Sequence, residues 1–414
     1  MSDRSRSFRR LPVVRAAAAA RLATAATALL FAAPVAVAHD GPHDHRAHDA
    51  HGHGSAHAHG HGGTASIASA PASASGAGAG LHGPEAPAVP ADGATAQDAA
   101  ASVAAANAPA FTFDDDWCKL PSDRPLGNTH GGIVIDAAGH VYYNTDTDRA
   151  IMVHTADGEF VRAIAPELPA IHAMQMRLES PTEGPAEEFI YAAHLRGKQV
   201  VKLRLDGSIV WTIGLPVESG FYPDGAGGYN PTGIAVAPNG DVYIADGYGR
   251  QWIHHYRADR TYVRSFGGPG SAPGQFSTCH GLAIDVRGED PMLLVCDREN
   301  RRIQRFHLDG RFDRVVATDL RRPCGLSIHG DHVAVAELEG RVTILGEDFA
   351  PVAYLGDNPD RGQWANNGVG PTLWEPDTFT APHGVCFDAD GNLYVQDWNA
   401  TGRVRKLIRR RGDG

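Results

Sequence analysis

Three histidines occupy one position of a recurring pattern. Ile171-His172-Ala173, Cys279-His280-Gly281 and Pro382-His383-Gly384 each put an imidazole directly before a small residue at the start of an apolar, strand-like run. A neutral imidazole offers a ring-nitrogen lone pair. Three of them around an open fourth position form the arrangement of a catalytic zinc, which needs that position to activate water or a substrate oxygen. Whether these three can converge depends on the elements that carry them.

Beyond Phe111 the chain consists of short β-branched and aromatic runs punctuated by Asp-Gly, Asn-Gly and Gly-Gly, the signature of successive hairpins. One unit recurs: a residue followed by Gly, an apolar strand, a tight turn, a second strand ending in Asp, then a third strand. The clearest copies are Pro231–Val236 with Asp241–Asp246, Cys279–Asp285 with Leu294–Asp297, and Pro382–Asp388 with Asn392–Asp397. Weaker copies start at Gly131, Ile171 and Pro323, which makes six. Each unit is an antiparallel sheet too small to bury both faces, and stacking around an axis lets such units share a core. The fold class predicted is therefore all-β, a six-bladed β-propeller of the NHL-repeat type spanning 111–414. The last unit supplies only three strands, ending at Val404–Leu407, so Phe111-Thr112-Phe113 through Trp117 is expected to close the ring from the N-terminal side. A seventh blade would have to lie in residues 346–379, whose Gly, Pro and Asn content predicts a long loop instead.

In a propeller the innermost strands run beside the central channel, and equivalent positions on them form a ring. The residue before the repeat's Gly gives His172, Thr232, His280, Cys324 and His383 for blades two to six, with Ala173 standing for the Gly in blade two. Alternate blades of a six-fold ring are related by about a three-fold rotation, so the three histidines converge. His130, which precedes two glycines, stands one residue out of register and is expected outside the site. The competing reading is three polar residues lining a wet channel.

The remainder of the chain bounds the function. Residues 1–38 run from a basic stretch through the apolar Leu22–Val37 to Ala36-Val37-Ala38, which reads as a signal peptide and predicts export to the periplasm or medium, with a membrane link only through an uncleaved signal. Pro34 interrupts a run already shorter than a spanning helix. Residues 39–110 read as a disordered arm: nine histidines between His39 and His61, then an Ala/Gly/Ser/Pro-rich tether. The histidine tract reads equally as a metal scavenger or as a solvated linker. Formal charge is −11, and about −16 without residues 1–38, which argues against nucleic-acid binding. Five cysteines without a C-x-x-C pair, four of them in or beside strand-like runs, read as free thiols in a monomeric chain.

The stretch Asn230–Phe306 resembles the peptidyl-α-hydroxyglycine α-amidating lyase domain. The resemblance rests on Asn-Pro-Thr-Gly-Ile-Ala-Val, Asp246-Gly247-Tyr248, Pro273-Gly274-Gln275-Phe276, His280 and Asp297-Arg298-Glu299-Asn300-Arg301-Arg302-Ile303-Gln304, with Pro382-His383-Gly384 similar to the family's last zinc motif. It implies a six-bladed propeller with a three-histidine zinc and a structural calcium that cleaves a peptidyl-α-hydroxyglycine to an amide and glyoxylate. The implied zinc ligands are His172, His280 and His383, the catalytic tyrosine Tyr248, and the active-site arginine Arg298. The partner implied is a small peptide-like substrate carrying a hydroxyglycine or glyoxylate-derived group. Three departures stand out. Gly384 replaces the family's calcium-binding Asp, Gly249 replaces a disulfide cysteine, and the second active-site arginine on blade one has no counterpart, Asn144-Thr145 standing there with Arg149 farther on.

The residues suit that chemistry on their own terms. A carbinolamide breaks its C–N bond when its hydroxyl is deprotonated. Tyr248 is the expected base, its pKa lowered by nearby cations, and Arg298 the expected carboxylate clamp. Two rival readings remain: a binding propeller without turnover, and a lactonase-type metal hydrolase, whose usual carboxylate ligands are not evident in the ring. The insertions Gly214–Tyr229 and Gly346–Phe379 would serve an enzyme as lid or a binding propeller as docking surface.

Overall fold

The computed structural model describes residues 109–121, 124–180 and 184–410; the expected signal peptide and all but the last two residues of the expected arm lie outside the described residues. Among the described residues the strands form six four-stranded antiparallel sheets. Blade four shows the plan: Cys279–Asp285 innermost, then Met292–Asp297, Arg302–His307 and Phe312–Ala317. The second strand is buried along its whole length, because its two faces pack against the blades on either side, and this is why it reads Met-Leu-Leu-Val-Cys without alternation. The outermost strand is only partly buried instead, with Arg314 exposed.

Between blades the core is made of side chains from facing sheets. Tyr243 and Phe266 of blade three meet Leu293, Val295 and Phe306 of blade four, with Phe276 of the connecting loop among them. At the junction of blades one and six the same layer holds Trp117, Tyr143, Met152 and Tyr394. Blade six is completed as expected: Phe111–Asp114 pairs antiparallel with Lys406–Arg409, so the sheet takes one strand from the N-terminal side and three from the C-terminal side. Residues 346–379 differ in part from the expected loop. Pro351–Leu355 is the outer strand of blade five, and the rest is irregular backbone with two 3-10 turns, Arg361–Gln363 and Pro371–Leu373. All five cysteines are free.

The acidic residue that ends the second strand has a structural reason. Asp246 accepts from the Asn230 N–H at 2.6 Å, Asp297 from Ser277 at 2.8 Å, Asp397 from Ala381 at 3.2 Å, and Glu337 from Arg321. In each case the carboxylate fixes the segment leading into the blade's innermost strand. Burial holds the pKa of Asp246, Asp297 and Asp397 above the usual carboxylate range, while these hydrogen bonds oppose the rise.

Candidate functional site

Four of the five predicted ring residues are extra residues of a bulge; Thr232 is the exception, since its blade pairs without a shift in register. Ile171 pairs with His194 and Ala173 with Ala193, so His172 has no partner of its own. Pro382 pairs with Asp397 and Gly384 with Gln396, which leaves His383 over, and Cys324 is left over in the same way between Pro323 and Gly325. In blade four Cys279 pairs with Asp297 and Leu282 with Val295, so His280 and Gly281 face Cys296 alone. A bulge redirects the extra side chain out of the pleat, and here it turns the imidazoles to the axis. The small residue that follows has a reason as well. A Cβ added at Gly233, Gly281 or Gly384 would run into the carbonyl of, respectively, His280, Cys324 or Gly131 in the next blade, and one at Gly325 would press on the His383 carbonyl. The innermost strands thus meet backbone to backbone.

The three predicted histidines come together. Their ring centroids lie 4.6 Å (His172–His280), 4.6 Å (His280–His383) and 5.0 Å (His172–His383) apart, and all three are almost fully buried. Burial pushes their pKa values well below the ordinary histidine value, which keeps them neutral, the form that ligates metal. His172 donates Nδ1–H to the Thr232 carbonyl at 2.6 Å and His280 to the Cys324 carbonyl at 2.8 Å, fixing the tautomer that turns each Nε2 lone pair inward. Three neutral imidazoles are a donor set for a zinc-type ion, although the groups whose ligand atoms lie within 4.8 Å of one another are His130 with His172 and His383, and His280 with Cys324 and His383.

Tyr248 hangs over these nitrogens. Its hydroxyl lies 3.4 Å from His172 Nε2 and 3.2 Å from His280 Nε2, and accepts from Arg298 at 2.8 Å. Asp246 holds the loop that carries it, accepting from the Arg250 N–H and the Tyr222 hydroxyl at 2.7 and 2.6 Å. Gly247 lets that loop rest on blade four, since a Cβ there would meet the Cys279 carbonyl; a Cβ at Gly249 would strike the Asp246 carboxylate, so no cysteine fits there. Arg298 stacks over the Tyr248 ring at 5.1 Å and is held from behind by Glu299 at 2.9 Å, itself bridged to Arg322 at 2.6 Å. Sequence reading missed Glu299 as a positioning group, although it sits beside Arg298 in the same motif.

Two expectations are corrected. Among the protein groups the Tyr248 pKa is raised, not lowered: desolvation of the phenol dominates, and the Arg298 charge and hydrogen bond only oppose it. His130 is not outside the site. Its ring lies 4.7 Å from that of His172 and 5.1 Å from that of His383, and ligand nitrogens of these three residues lie within 4.8 Å of one another. The physical reason is the length of the blade-one bulge: Thr129 pairs with Thr145 and Ile133 with Tyr143, so three residues face Asn144 alone, one more than in blade four. Cys324, named only as a ring residue, also brings its sulfur within 4.8 Å of nitrogens on His280 and His383, although burial pushes the thiol up to about 11.

Neither blade-one candidate supplies the second cation. Asn144 accepts from Gly132 N–H at 2.7 Å and donates to the Ile171 carbonyl, and Arg149 is held by the Pro125 and Leu126 carbonyls. Nor do the residues fit the family's calcium. The void of about 50 Å³ at the ring is lined by His172, His280, His383, Thr232 and Cys324 together with glycines and apolar side chains, none of them a carboxylate, and the Gly131 carbonyl lies where a side chain on Gly384 would have to start.

The NHL repeat model matches residues 229–256, the part of blade three that carries Tyr248. A peptidylglycine α-amidating monooxygenase of Rattus norvegicus is 30% identical over 178 residues, 40% of this chain and 17% of that protein. Peptidyl-glycine α-amidating monooxygenase B of Xenopus laevis is 32% identical over 185 residues, 41% of this chain and 19% of that protein. The chain therefore spans less than a fifth of the length of these two relatives. A peptidyl-α-hydroxyglycine α-amidating lyase 1 of Drosophila melanogaster is 27% identical over 208 residues, 44% of this chain and 35% of that protein. Among solved structures a streptogramin B lyase, 17% identical with a TM-score of 0.48, covers 72% of this chain and 98% of its own. With six four-stranded sheets around one axis and this sequence similarity, the chain is an NHL-repeat six-bladed propeller homologous, over about 40% of its length, to the peptidylglycine α-amidating proteins.

Proposed function

We propose that the protein is an exported, zinc-dependent lyase that cleaves the C–N bond of a peptidyl-α-hydroxyglycine-like carbinolamide to an amide and glyoxylate. The observation that carries this reading is the meeting of three groups at one oxygen: the Tyr248 hydroxyl sits against His172 Nε2 and His280 Nε2 and accepts from Arg298. His172, His280 and His383 would hold the ion, which would supply Lewis acidity toward the substrate's hydroxyl oxygen. The protein's own groups do the rest. Tyr248, as phenolate, takes the proton from the carbinol O–H. The O–H electrons form the new C=O, the C–N bond breaks, and the departing amide nitrogen takes up a proton. Arg298, already oriented by Glu299, receives the substrate carboxylate through two parallel N–H bonds. Because desolvation raises the Tyr248 pKa, the base depends on neighbouring positive charge, and Arg298 is the nearest source within the chain.

The test is turnover. The purified protein releases glyoxylate from a peptide ending in α-hydroxyglycine, and Tyr248→Phe, which deletes one proton-transferring oxygen, keeps its metal and loses about 10²–10⁴-fold in rate. Equal rates remove Tyr248 as the base. A parent protein that binds the peptide without releasing glyoxylate supports a binding propeller instead.

A further inference from the structure

The cluster contains a fourth imidazole that the three-fold pattern does not predict. In blades two and four each ring histidine donates Nδ1–H to the carbonyl of the ring residue one blade on, Thr232 and Cys324. Blade six should do the same to blade one. It does not: His383 is 3% exposed and its Nδ1 has no hydrogen-bond partner among the described residues. The strand facing it is the lengthened bulge of blade one, where a Cβ on Gly131 would lie against that same Nδ1. His130 is itself held from behind, its Nδ1 lying 3.3 Å from Asp146 Oδ1, and Asp146 is fixed by the Asn128 side chain and by its own N–H to the Asn128 carbonyl at 2.9 Å. A carboxylate behind an imidazole orients the ring and raises its basicity, which is the outer-shell partner of a metal-binding histidine. The other three histidines have a carbonyl or nothing in that place.

We propose that His130, oriented by Asp146, is a further ligand of the metal centre, which makes the site a four-histidine cluster built from blades one, two, four and six. This rests on the metal assigned to the site above, but not on the reaction. The extra residue in blade one delivers His130 to the cluster, while the Gly131 carbonyl meets Gly384 as the carbonyls of the other junctions meet their glycines.

The experiment is a zinc titration of the full chain against a chromophoric chelator, after dialysis against a mild chelator that clears weak sites on the histidine-rich segment. Parent, His130→Ala and Asp146→Asn are compared, with thermal melting of each. The expected result is one tightly held zinc in the parent. Asp146→Asn weakens it by about 10–100-fold, the usual cost of losing such a partner. His130→Ala weakens it at least as much, and free imidazole restores affinity to His130→Ala alone, because only there is a ligand missing. Melting temperatures of the zinc-stripped proteins stay together. Equal zinc affinity in parent and His130→Ala overturns the proposal, and so does weakening that imidazole does not rescue. A parent that holds no zinc overturns it together with the lyase reading. Tight zinc that depends on His130, in a protein without glyoxylate release, sinks the lyase reading alone.

Discussion

The junction between blades three and four and the junction between blades six and one are made by the same rules and come out differently. At the first, Gly233 lies against the His280 carbonyl, the Thr232 hydroxyl donates to the Cys279 carbonyl at 2.8 Å, and aromatic rings fill the space behind. At the second, Gly384 lies against the Gly131 carbonyl, the Thr129 hydroxyl donates to the Asp397 carbonyl at 2.7 Å, and Trp117 packs edge-on to Tyr394 at 5.1 Å. The first joins consecutive repeats. The second joins the two ends of the ring, and there the chain departs from the repeat twice, with a strand borrowed from before the first blade and an extra residue in the bulge. Departures from an internal repeat mark the places where closure and chemistry made demands that the repeat alone did not meet.

The comparison breaks most easily at the borrowed strand. Deleting Phe111–Trp117 exposes the edge of Arg403–Arg409 and removes Trp117, which is 1% exposed. Loss of a buried Trp alone costs about 3–5 kcal/mol, so the melting temperature should fall by on the order of 10 °C. An unchanged melting curve would mean that the second junction needs no clamp. A smaller effect is expected from Gly384→Asp, whose side chain must displace the Gly131 backbone; overpacking of this kind costs about 1–3 kcal/mol. Gly233→Ala is the matched change at the first junction, since its Cβ meets the His280 carbonyl. Similar losses in denaturant midpoint at the two positions would support one rule for both, whereas a tolerated Gly384→Asp would show that the lengthened bulge yields.

The smallest effect at neutral pH sharpens the blade-three side. His254 sits between the Tyr222 hydroxyl at 2.7 Å and Ser265 at 2.6 Å, and burial lowers its pKa to about 3 from 6.5. A depressed folded-state value means that the unfolded chain takes up the proton first. The stabilisation is therefore complete above pH 6.5 and is lost as pH falls from 6.5 towards about 3. His254→Gln should flatten the fall in denaturant midpoint over that window. If its slope matches the parent's, His254 is not among the groups that set the acid limit.

Much of the site was legible because it is written in the repeat. His172, His280 and His383 each precede the small residue that lets neighbouring inner strands touch, so their common register could be read without a structure. Tyr248 and Arg298 were legible only through the motifs around them; nothing local says that a tyrosine from blade three and an arginine from blade four share one hydrogen bond. Glu299 and Asp146 were not legible, since each acts only through another side chain, Glu299 through its neighbour Arg298 and Asp146 through His130.

By itself the sequence determined the all-β repeat, the six blades and the closing strand, because turn residues and the apolar runs between them act over a few residues at a time. Only the tertiary structure decided where His130 goes. Two glycines after a histidine say that the backbone is unhindered, but how many residues a bulge absorbs is set by the pairing of Thr129 with Thr145 and of Ile133 with Tyr143. The partner strand and the neighbouring blade hold that register, and one residue more on the inner strand turns a histidine expected outside the site into a member of it.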